Sequence, residues 1–358
     1  MSKITETSTT TASSSSSSCK EIIDVYASNF ISEIKHISEL LEAYPYIGMD
    51  TEFPGNVYPL QEYTPDFYYK SLKLNVDSLK LIQLGITLSD EKGNLPKGTH
   101  TWQFNLKFDL QRDQISPDSY ALLHSSGVNF DKMRKEGIPH HVFAEYIMIS
   151  GLVLNEDIHW VSFHGSSDFA YLLKLLLNAN LPDTEEEFTQ KLEVYFPNHY
   201  DLKVIVQQLN DKLNGGLNRV AQNLRIQRIG EVHQAGSDAY VTIGIFNKIN
   251  KSRNEFIDKD IIDASRNVLF GIGLGADDAE TIQYTKFANI PNIFNNNQRN
   301  ILFPFHNIPS SNYQMTVGGP FFYENPMLSL SQDNNNCANM KTHHKNNSTR
   351  KHHEKQIN

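Results

Sequence analysis

The stretch that most constrains the fold is YIGMDTEFPG, residues 46–55. Its short apolar run reads as a strand, and Pro54-Gly55 ends it. Side chains two apart on a strand point the same way, so Asp50 and Glu52 share one face. Two like charges side by side on a half-buried surface repel each other and resist desolvation. Either something positive sits between them, or that end of the strand is wet. The rest of the chain has to supply one or the other.

Composition narrows what that can be. The 358 residues are 39% hydrophobic and 20% charged, an ordinary globular balance. A formal net charge of −9 excludes a protein whose whole surface grips nucleic acid by charge, but not a nuclease whose acidic site recruits metal ions. The two cysteines, Cys19 and Cys337, allow neither a disulfide framework nor a Cys-rich zinc site. The Ser/Thr-rich start lacks the apolar segment of a secretory leader, and no apolar run is long enough to span a bilayer. No membrane association is expected.

Residues 1–19 are low-complexity and read as disordered, and residues 276–358 read as an Asn/His-rich, largely disordered tail. Between them, residues 20–275 read as a single α/β domain. An amphipathic helix is expected over 27–44, followed by strands in YIGMDTEF, LKLIQLGITL and THTWQFNL. The last two are joined by SDEKGNLPKG, a hairpin loop. Helical patterns follow near 118–126 and 141–154, then a strand in IHWVSFHG and a strong helix from about Ser167. Further helices fit 184–195, 203–212 and 216–224, and a last one starts near Ser237. This order predicts a mixed β-sheet flanked by α-helices.

More carboxylates fall at the ends of these elements. Asp168 stands at the start of the helix after the IHWVSFHG strand, and Asp238 at the start of the last helix. Ser167 and Ser237 read as N-caps, and a first-turn Asp beside a cap has an ordinary structural explanation in the helix dipole. Together, however, Asp50, Glu52, Asp168 and Asp238 form an all-oxygen set suited to two divalent cations, Mg²⁺ or Mn²⁺. Two ions about 4 Å apart can clamp both the attacking and the leaving oxygen of a phosphoryl displacement. His233, five residues before Asp238, rides the loop entering the last helix. It is either a polar loop residue or a general base with a pKa suited to neutral pH. Phe53 and His164 adjoin the acids and are candidates for touching substrate, Phe53 equally for the core.

The pattern D-x-E, a central Asp, then H-x4-D resembles the His-containing branch of the DEDD 3′→5′ exonucleases. Longer segments narrow it. MDTEFPG, NVDSLKLIQLGITLSDEKGN, TWQFNLKF, FAEYIMISGLVL, WVSFHGSSDFAYLLKLL, FPNHYDLKVI and RIGEVHQAGSDA are similar, in that order, to the poly(A)-specific ribonuclease subunits of CCR–NOT complexes. The resemblance implies an RNase H-like fold and a metal-dependent, 5′-AMP-releasing deadenylase of cytoplasm and nucleus. It also implies poly(A) RNA as substrate, with the large NOT scaffold and the complex's other deadenylase as partners. By the same resemblance Asp50, Glu52, Asp168 and Asp238 are the metal ligands and His233 the base. Asp201 matches a further acidic position, with Lys203 as a possible partner on the same extended face. Two other readings stay open: a catalytically impaired adaptor, and a DEDD exonuclease with broader single-stranded substrates. The chain departs from the family in HGSSDF, where Ser166-Ser167 replace a usual Gly-Tyr, and in NVYP, where a basic residue is absent after FPG. These departures predict altered RNA affinity rather than altered chemistry.

Overall fold

The computed structural model describes residues 22–60, 67–209, 213, 215–251 and 259–272. The expected disordered termini, both cysteines, and the predicted helix's last residues at 210–212 lie outside the described residues. The chain runs β1 (Ile22–Val25), α1 (Phe30–Leu40), β2 (Tyr46–Glu52), α2 (Phe67–Ser78), β3 (Gln83–Ser89) and β4 (Thr101–Asn105). It continues α3 (Pro117–Ser125), α4 (Phe130–Glu136), α5 (His140–Ile149), β5 (His159–Ser162), α6 (Ser166–Leu177) and α7 (Glu185–Tyr195). Last come β6 (Asn198–Asp201), α8 (Leu202–Leu209), α9 (Leu217–Asn223), α10 (Ala235–Lys251) and α11 (Lys259–Ala264).

The strands form one mixed sheet in the order β1-β4-β3-β2-β5-β6. The antiparallel run β4-β3-β2 continues into parallel β5 and β6. This is the mixed sheet flanked by helices that the sequence predicts, and the SDEKGNLPKG segment does join an antiparallel pair.

The two faces of the sheet differ in chemistry, and that difference places the site. One face carries Ile47, Met49, Leu84, Ile86, Trp102 and Phe104. It packs in the main core with Phe30, Ile34 and Ile37 of α1, Phe143 and Ile147 of α5, and Phe169 and Leu172 of α6. Phe30 meets Phe104 edge-on and stacks on Phe143. The other face carries Gly48, Asp50, Glu52, Gln83, Gly85, Gln103 and Asn105. Helix α10 lies across it, and two glycines let it come close. A Cβ on Gly48 would collide with Ala239 and Ile243, and one on Gly85 with the backbone of Ala235 and Gly236. Gly85 pairs with Asp50 across the strands, so this close approach lands the start of α10 beside Asp50.

Several elements are not apparent from pattern alone. Strand β1 is a four-residue edge strand with Asp24 inside it, too short to show alternation. Strand β6 is polar in sequence and is not among the expected strands, yet all four residues of NHYD are buried. Helices α2 and α4 are also unanticipated, and α1 is shorter than the predicted 27–44. The two serine caps are corrected too. α6 begins at Ser166 behind Gly165, and α10 begins at Ala235, so Ser167 and Ser237 are helical residues.

Candidate active site

The strand end, the first turn of α6 and the first turn of α10 meet at one place. Carboxylate oxygens of Asp50, Glu52 and Asp238 all lie within 4.8 Å of one another. Asp168 stands beside them from α6. Its Oδ1 accepts from the Thr51 backbone N–H at 2.8 Å and from the Thr51 hydroxyl at 2.6 Å. Thr51 faces opposite to its neighbours on the strand, so Asp168 approaches β2 from the core side and Asp238 from the α10 side. The strand tip is held between them.

This crowding shows in the acids' proton affinities. Burial, then the charges of Asp238, Asp168 and Glu52, push the Asp50 carboxyl well above the ordinary range. Burial and the same two aspartates do so for Glu52. Asp168 is raised to about 6 by burial, against the opposing Thr51 hydrogen bonds. Asp238 is raised by burial and held down by Arg228. The donor set is all oxygen, partly desolvated and overcharged, which fits hard divalent cations.

Arg228, Gln103 and Gln234 are site-positioning residues that sequence reasoning misses. Arg228 Nη1 lies 2.5 Å from Asp238 Oδ1 and donates to the Ser237 hydroxyl at 2.8 Å. It holds one oxygen of Asp238. The other, Oδ2, accepts from the His233 backbone N–H at 3.0 Å. The only sequence signal for Arg228 is its position ten residues ahead of Asp238, in RIGEVHQAGSD, which spacing alone does not interpret.

His233 lies two residues before α10, in the loop that the sequence predicts. It adopts a left-handed φ of 62°, uncommon for a residue with a side chain. Several bonds hold the loop there. The Ser126 hydroxyl donates to the His233 carbonyl at 2.9 Å, and Gln234 Nε2 donates to the Ser126 carbonyl at 2.8 Å. Gln103 Nε2 donates to Gln234 Oε1 at 2.7 Å, while Gln103 Oε1 accepts from the Gly236 N–H at 2.9 Å. Among the described residues the His233 ring has no hydrogen-bond partner.

Asp201 is a different kind of acid. Fully buried at the end of β6, it accepts from four backbone N–H groups: His164 at 2.7 Å, Gly165 at 3.0 Å, Lys203 at 2.9 Å and Phe270 at 3.0 Å. It ties the loop before α6 to the start of α8 and to the segment after α11. The anticipated Asp201–Lys203 pairing on an extended face does not form. Helix α8 begins at Leu202, which ends the alternation, and Lys203 Nζ donates instead to the Gly215 carbonyl at 3.1 Å.

Of the two substrate-contact candidates, Phe53 is half-buried and stacks on Tyr171, ring centroids 5.1 Å apart, against the core. His164 takes a left-handed φ of 62° and meets Phe270 edge-on at 4.8 Å. Burial lowers its pKa, which favours the neutral ring.

Comparison with known proteins adds an independent line. The family model of the CAF1 family ribonucleases matches residues 25–150 and 147–246. Poly(A) ribonuclease pop2 of Schizosaccharomyces pombe is 46% identical over 255 residues, 70% of this chain and 75% of the relative. Probable CCR4-associated factor 1 homolog 7 of Arabidopsis thaliana is 45% identical over 263 residues, 71% of this chain and 94% of the relative. Among solved structures, S. pombe Pop2p with Mg²⁺ and Mn²⁺ bound superposes with a TM-score of 0.66 at 44% identity, covering 71% of this chain and 100% of that one. CAF1 co-crystallised with the yeast NOT1 MIF4G domain gives 0.61 at 29% identity, covering 70% and 96%.

Proposed function

The chain belongs to the CAF1 ribonuclease family, and on that premise we propose that it is a metal-dependent 3′→5′ exoribonuclease that shortens poly(A) tails and releases 5′-AMP. The observation that carries this reading is the meeting of Asp50, Glu52 and Asp238 oxygens within 4.8 Å, with Asp168 alongside. The fit of a Mg²⁺- and Mn²⁺-bound relative supports the same cations here. The relatives named for CCR4 association and the NOT1 co-crystal support work within a CCR–NOT assembly, on its large NOT scaffold and beside its other deadenylase. Cytoplasm and nucleus are the compartments where such tails are found.

The chain's own residues divide the chemistry. Asp50, Glu52, Asp168 and Asp238 would hold two divalent cations, which supply positive charge at the scissile phosphate and its attacking and leaving oxygens. His233 takes the proton of the attacking water, positioned by its left-handed backbone and the Ser126–Gln234–Gln103 bonds. Arg228 fixes the carboxylate plane of Asp238. Asp201 holds His164 and Gly165, the residues that lead into the Asp168 turn.

One assay tests the reading: RNA labelled at its 5′ end, with a mixed sequence followed by an A-tail, incubated with Mg²⁺ or Mn²⁺ and with chelator. The expected outcome is cation-dependent shortening that stalls where the A-tract ends. Digestion through the mixed sequence would replace the deadenylase by a broader exonuclease, and no digestion would leave an adaptor.

A further inference from the structure

Ser166 and Ser167 put no ring into the first turn of α6, but α2 brings one there. Tyr68, in the first turn of α2, is 41% exposed, yet its hydroxyl is turned inward. It lies 2.8 Å from the hydroxyl of Ser166, a buried residue two positions ahead of Asp168. Burial raises the pKa of the phenol, with lesser contributions from the negative charges of Asp201 and Asp168. The ring is also fixed from the side. Gly271 packs its bare Cα against it, and a Cβ there would stand 3.0 Å from Tyr68 Cζ. The next residue back, Phe270, is tied to Asp201 through its N–H and meets the His164 ring.

The ring is therefore anchored at its polar tip, in the turn that carries Asp168, and packed on one side by Gly271, while part of its surface stays open. A hydroxyl–hydroxyl bond contributes only about 1 kcal/mol to folding. It does, however, set the ring's orientation before any ligand arrives, which removes an ordering cost from binding. Single-stranded RNA binds through stacking on such rings, and stacking tolerates any base.

We propose that Tyr68 is a substrate-contacting residue, a stacking platform for a base near the RNA 3′ end, held in orientation by Ser166. This rests on the ribonuclease reading above and adds a specific base contact to it.

The test uses Tyr68→Ala, Tyr68→Leu and Tyr68→Trp in the full chain. KM and kcat are measured on A-tailed RNA. The Kd for an oligoadenylate is measured with Ca²⁺ in place of Mg²⁺, and thermal midpoints are recorded. Tyr68→Ala and Tyr68→Leu should each raise KM and Kd about tenfold, with the loss concentrated in KM rather than kcat. Tyr68→Trp, which restores a ring, should recover most of the binding. Unchanged KM and Kd in both ring-less variants would overturn the proposal. So would a fall in kcat and thermal midpoint with KM intact, since that marks a structural role. A parent protein that fails to trim the A-tail would sink the ribonuclease reading instead, and Tyr68 would then be judged on the Kd values alone.

Discussion

Asp50 and Asp201 are both acids near the same end of one sheet, on β2 and β6, yet their surroundings are opposite. Asp201 receives four backbone N–H groups and is fully satisfied by its own chain. Asp50 faces Glu52, Asp168 and Asp238, with Arg228 as the nearby counter-charge. A carboxylate saturated by backbone donors has nothing left to give a ligand. A carboxylate crowded by its own kind lowers its energy by taking up a proton or a cation. The contrast separates a structural acid from a candidate cation ligand without reference to function.

The largest break in that comparison is Asp50→Asn. It should reduce single-turnover trimming of A-tailed RNA by about a thousandfold or more, because a ligand of the cation site is lost. The same change should raise the thermal midpoint of the chelated protein, since it relieves repulsion. A variant that trims at the parental rate would remove Asp50 from the chemistry. His233→Ala should slow the single-turnover rate by two to four orders of magnitude, roughly the range for a general base, while Mn²⁺ binding measured by titration calorimetry stays near parental. Asp201→Asn should act the other way round from Asp50→Asn. Replacing one accepting oxygen by a donor should cost about 3 kcal/mol in urea unfolding.

The smallest effect expected is a pH dependence. The Asp168 carboxyl is raised from 3.8 to about 6, and Asp50 and Glu52 are raised as well. The folded chain therefore binds these protons more tightly than the unfolded chain. The penalty is absent below the unfolded value and complete above the folded one, so stability of the chelated protein should fall as pH rises from about 4 through 6. Urea midpoints across that range should show the slope, Mn²⁺ should abolish it, and Asp50→Asn should flatten it. An identical slope in the variant would mean the acids are not coupled.

Much of the candidate site was legible because it is short-range or motif-like. Asp50 and Glu52 follow from strand alternation, and His233 and Asp238 sit in one continuous segment at a helix entrance. Arg228 was not legible, because its role depends on the loop folding back onto Ser237 and Asp238. The Asp201 knot was not legible either. Three of its four donors come from segments about 36 to 69 residues away, and local pattern holds no record of such pairings. Tyr68 is the clearest case. The sequence shows that HGSSDF lacks the family's aromatic, but not that α2 carries one to the same turn.

By itself, the sequence determined the alternating strands, the hairpin, the helix that carries Asp168 and the acids at element ends, since each follows from the geometry of neighbouring residues. Only the tertiary structure decided which acids meet and which are satisfied. Glycines at positions 48 and 85 let α10 lie close on the sheet, and that approach turns separate carboxylates into one crowded site. Charge repulsion and hydrogen-bond saturation act over a few ångströms in space, whatever the distance along the chain.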